Sequence, residues 1–91
     1  MATTTNDYIH MRYKNGAIAV FHRGDDRVMS NKAQEQFNRH GDTAEIWLYR
    51  TMHKDWHRFH IKEGRTSPSW VEHKEHQVPA TVVQYVKLTA E

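Results

Sequence analysis

Apolar and polar residues alternate from Tyr8 to Tyr13 and again from Ala17 to His22, with Asn15-Gly16 between the two runs. A period of two places successive side chains on opposite faces of a strand. Asn-Gly suits a two-residue type I′ turn, because both positions tolerate positive φ. The pattern predicts a β-hairpin with Ile9, Met11 and Tyr13 on one face, and with Ile18 and Val20 sharing a face of the partner strand. Gly24-Asp25-Asp26 breaks the alternation and reads as a turn. Ser30 then reads as the N-cap of a short helix over 31–40, with Ala33 and Phe37 one turn apart and Gly41 just past its end. Lys32, Gln34, Glu35, Gln36 and Arg39 make its outer side polar, so it reads as a surface helix that lends Phe37 to the core.

Residues 43–62 support two readings. As strands, Ala44 to Thr51 and Asp55 to Lys62 pair around Met52-His53-Lys54. As one helix, Asp42 and Glu45 form a capping box, Gly64 ends it, and Tyr49, Met52, Trp56 and Phe59 line one face. The β-branched and aromatic content of 46–49 and 56–61 favours the strands. Arg65 to Ser69 reads as a loop and Trp70 to His76 as a short further strand. Val78, Val82, Val86 and Ala90 form one stripe of a helix that Pro79 introduces, although Thr81-Val82-Val83 would also suit a strand. The elements add up to a small single-domain α+β fold. Its antiparallel sheet has four to five strands in two hairpins, with a short surface helix and a C-terminal helix packed on one face. Residues 1–6, MATTTN, lack apolar anchors and read as a flexible N-terminus ahead of a domain spanning 7–91.

Composition narrows the function classes. In 91 residues, 13 Lys and Arg stand against 11 Asp and Glu. A net charge of +2 is mild, so any basic function depends on local clustering. Eight His add pH sensitivity, since eight further charges on +2 would take the chain towards +10 when all are protonated. The absence of Cys excludes a disulfide framework, a thiolate nucleophile and Cys-based zinc fingers. No apolar signal region or spanning run is present, so the sequence is read as cytoplasmic with no membrane contact.

Candidate chemistry concentrates in Arg50 to Arg65. Five Lys or Arg, three His, Trp56 and Phe59 fall there against Asp55 and Glu63 alone. In the strand reading Trp56, Arg58, His60 and Lys62 share a face, which Arg50, Lys54 and Arg65 extend around the turn. These seven residues form the expected partner-binding set, with Trp56 as an exposed ring, Trp47 in the core and Trp70 closing one end of it. His53, His57, His60, His73 and His76 have no recognised metal-binding spacing, and no metal or cofactor is assigned. No Gly-rich phosphate loop and no nucleophile elbow occur either.

The sequence is therefore read as a non-catalytic binding module acting stoichiometrically on a protein, a regulator, inhibitor or adaptor of the kind phages and mobile elements encode. The first alternative is nucleic-acid binding, with Arg50, Lys54, Arg58, Lys62 and Arg65 on phosphates and Trp56 stacked on a base. The second is a metal-independent nuclease using His53, Asp55 and His57.

Overall fold

In a computed structural model, which describes residues 7–13 and 16–90, the alternating runs become β1 (Asp7–Tyr13) and β2 (Ile18–Gly24), paired antiparallel. Asn15, and with it the expected type I′ turn, lies outside the described residues, as do residues 1–6. Gly16, the second residue of that expected turn, has φ 86°. Helix α1 (Asp26–His40) begins well before the position expected from Ser30. The cap is Asp25, whose carboxylate accepts a hydrogen bond from the Val28 amide at 2.9 Å, and Asp26 adds negative charge to the first turn. The pair expected to be a turn is thus the helix start. Gly41 ends the helix at φ 59°, with its amide donating to the Phe37 carbonyl.

Residues 43–62 adopt the strand reading, which overturns the single-helix alternative. Strands β3 (Ala44–Arg50) and β4 (Asp55–Ile61) are joined by a turn over 51–54. The Lys54 amide donates to the Arg50 carbonyl at 2.7 Å, and Lys54 takes φ 56°. β5 (Pro68–His73) follows, and after a 3-10 turn α2 (Ala80–Ala90) closes the described chain. The order β2-β1-β3-β4-β5 is antiparallel throughout, so the class is α+β, with two α-helices among the described residues.

Each helix covers a different face of the sheet. On one face Ile9, Ala44, Ile46, Leu48 and Phe59 pack with Met29 and Ala33 of α1, while Val20, Phe37 and Trp70 border them. On the other, Trp47 and Trp56 pack with Val78, Val82 and Val86, bordered by Phe21, Tyr49 and Val83. The sequence pattern made α1 a surface helix that lends Phe37 to the core, and Phe37 does border it. Starting the helix at Asp26 brings Met29 onto the same inner side as Ala33, one turn apart, and gives α1 a buried stripe of its own. No helix among the described residues is long and apolar enough to cross a membrane.

Candidate partner-binding surface

The basic-aromatic segment does not form one surface. Register across β3 and β4 sets Trp47 opposite Arg58, Leu48 opposite His57, Tyr49 opposite Trp56 and Arg50 opposite Asp55. Directly opposed residues share a face, so Trp56, Arg58 and His60 lie on the α2 side while Arg50, Asp55 and His57 lie on the α1 side. Lys54 sits in the turn at the start of β4, whereas Lys62 and Arg65 lie beyond its end, and all three are exposed.

Trp56 requires a correction. The ring expected to be exposed is 1% accessible, tilted against Tyr49 at 4.8 Å and covered by the valine stripe of α2. Its alternation with Arg58 was legible, but α2 lies over the end of the face that carries it. It cannot stack on a base. Arg50 is also withdrawn, since its guanidinium grips Asp55 through two bonds, Nε to Oδ1 at 2.8 Å and Nη2 to Oδ2 at 2.6 Å.

Arg58 and His60 remain, and β5 adds His73, which the expected set omitted. The Arg58 guanidinium carbon lies 5.9 Å from the centre of the Trp47 ring. The His73 ring meets the same indole edge-on at 5.2 Å and stands 5.8 Å from the ring of His60. Arg58 Nε, His60 Nε2 and His73 Nε2 are all buried and lack a hydrogen-bond partner among the described residues. Glu45, at the start of β3, accepts from Trp47 Nε1 at 3.1 Å, and no ion pair links Arg58 to a described acid. Arg58 and His73 thus share one indole, His60 adjoins His73, and among the described residues none of the three forms an ion pair with an acid. The signal for His73 is the pairing of β4 with β5, which sets it opposite Trp56 and cannot be read from local spacing.

On the α1 face a cleft of about 230 Å³ is lined by Asp26, Ser30, Leu48, Arg50, His57 and Trp70. Trp70 Nε1 donates to Ser30 Oγ across it at 3.3 Å. His57 Nδ1 stands 3.8 Å from Asp55 Oδ1, too far for a hydrogen bond. The hydrogen bond from Arg50, ahead of every other influence, holds the Asp55 carboxyl below the usual carboxylate range. Such a group is far from the near-neutral poise of a general acid or base. His53 lies in the exposed turn. Among the described residues no group of three His, Asp or Glu could hold a metal.

Burial lowers the pKa of His73, helped by the charges of His60, Arg58 and His57. Burial also lowers that of His22, helped by Lys32 and opposed by Glu35. An imidazole with a depressed folded pKa binds a proton more readily once unfolded. Its contribution to stability is therefore present above about pH 6.5 and lost as pH falls through the folded value. The thermal midpoint is expected to be lower at pH 5.5 than at pH 7.5, with a smaller difference in His73→Gln. An equal midpoint at both pH values would contradict this assignment.

No family model matches the sequence, no curated protein matches it, and no solved structure matches the fold.

Proposed function

We propose that the chain is a non-catalytic binding module that acts stoichiometrically on a protein partner, as a regulator, inhibitor or adaptor. Acidic groups of that partner meet Arg58, His60 and His73. The observation that carries this reading is the cluster itself, in which Arg58 and His73 pack on Trp47, His60 adjoins His73, and none of the three has an ion-pair partner among the described residues. An uncompensated group of this kind is costly in the free protein, and a partner's carboxylates offset that cost. Nucleic-acid binding is less well supported, because Trp56 is buried and the other cations sit at opposite ends of β4 or on its other face.

The test compares Arg58→Glu with Lys54→Glu as baits in an extract of the source cells. A partner retained at a one-to-one ratio by the wild type and by Lys54→Glu is expected to be lost by Arg58→Glu. Retention of the same partner by Arg58→Glu, or recovery of nucleic acid alone, would overturn the proposal.

A further inference from the structure

His60 Nδ1 lies 3.3 Å from the Ile61 carbonyl oxygen, which fixes that nitrogen as the donor and leaves Nε2 as a buried acceptor in the neutral ring. Protonating Nε2 creates a second donor that needs an acceptor. Nε2 of His73 is also buried and has no hydrogen-bond partner among the described residues. The charges that act on His73 are those of His60, Arg58 and, through the sheet, His57, all of β4. On β3 the nearest acid is Glu45, engaged by Trp47. On and past β5, Glu72 and Lys74 line one cavity with His73, while Glu75 of the 3-10 turn and Lys87 of α2 are paired with each other at 3.3 Å. In the free protein burial, helped by the β4 charges, opposes a charge on the His73 ring. An arriving carboxylate reverses that balance and supplies the missing acceptor.

We propose that Arg58, His60 and His73 form a carboxylate-binding site whose imidazoles take up protons as an acidic segment of the partner docks. This rests on reading the cluster as the partner-binding surface, and it adds a regulation: affinity rises as pH falls. Arg58 gives the permanent charge that makes first contact, and the two imidazoles add charge as the carboxylate arrives. The sign follows from linkage, since a ligand that prefers the protonated site binds more tightly where protons are abundant. Each proton taken up makes binding about tenfold tighter per pH unit.

A peptide of ten glutamates is the probe, titrated at low salt between pH 7.5 and 6.0, with ten thymidines as the control. The expected result is peptide affinity that rises as pH falls. It should be accompanied by an upward shift of the His60 and His73 titration midpoints, followed by NMR, on adding peptide. Arg58→Ala should abolish binding, and His60→Gln should retain binding but flatten its pH dependence. Affinity that is flat in the wild type but lost in Arg58→Ala would overturn the proton linkage and leave the surface reading standing. Two results would overturn both: peptide binding that Arg58→Ala does not weaken, or binding of the thymidine oligomer alone.

Discussion

Trp56→Ala is expected to destabilise the fold by about 3–5 kcal/mol, the usual range for removing a large buried aromatic. The ring is among the largest fully buried side chains and lies beneath Val82 and Val86, both fully buried themselves. Deleting it leaves a cavity between α2 and the sheet that neither a helix nor a paired strand can close by relaxation. Against a total of roughly 5–15 kcal/mol for a small domain, the variant would stand near the edge of folding. An exposed stacking ring would behave differently, since surface substitutions are usually within about 0.5 kcal/mol. Chemical denaturation of both proteins decides between them. A shift that small would place Trp56 outside the core.

Met29→Ala is expected to cost about 2–5 kcal/mol by the same mechanism on the opposite face. Met29 is 1% accessible and packs with Ile9, Ala33, Ile46, Leu48 and Phe59. Were the helix to begin after Ser30, Met29 would precede it with no required burial. The loss in midpoint denaturant concentration therefore reports on whether α1 is a structural layer. A cost within about 0.5 kcal/mol, typical of the surface, would return α1 to the role of an appended helix.

The alternating runs of β1 and β2, the aromatic strands β3 and β4, and the valine stripe of α2 were all legible, because each is a short-range period. The start of α1 was not. Asp25 and Ser30 are both good cap residues, and the choice between them depends on Met29 finding Ile9 and Ile46 across the fold. The orientation of the basic-aromatic segment failed for a related reason. Alternation grouped Trp56 with Arg58 and His60 correctly, but which part of that face is covered depends on where α2 docks. The clue was present, since a stripe of Val78, Val82 and Val86 demands an apolar platform and Trp47, Tyr49 and Trp56 provide one. His73 joined the candidate site only through long-range strand pairing.

The central claim is that Arg58, His60 and His73, and neither the turn at 51–54 nor the loop at 62–67, receive the acidic partner. It is tested most directly by mapping backbone and indole shifts of isotope-labelled protein as the ten-glutamate peptide is added. The expected perturbations centre on Arg58, His60, His73 and the Trp47 indole. Perturbations confined to Lys54, Lys62 and Arg65, with the Trp47 indole unmoved, would contradict it.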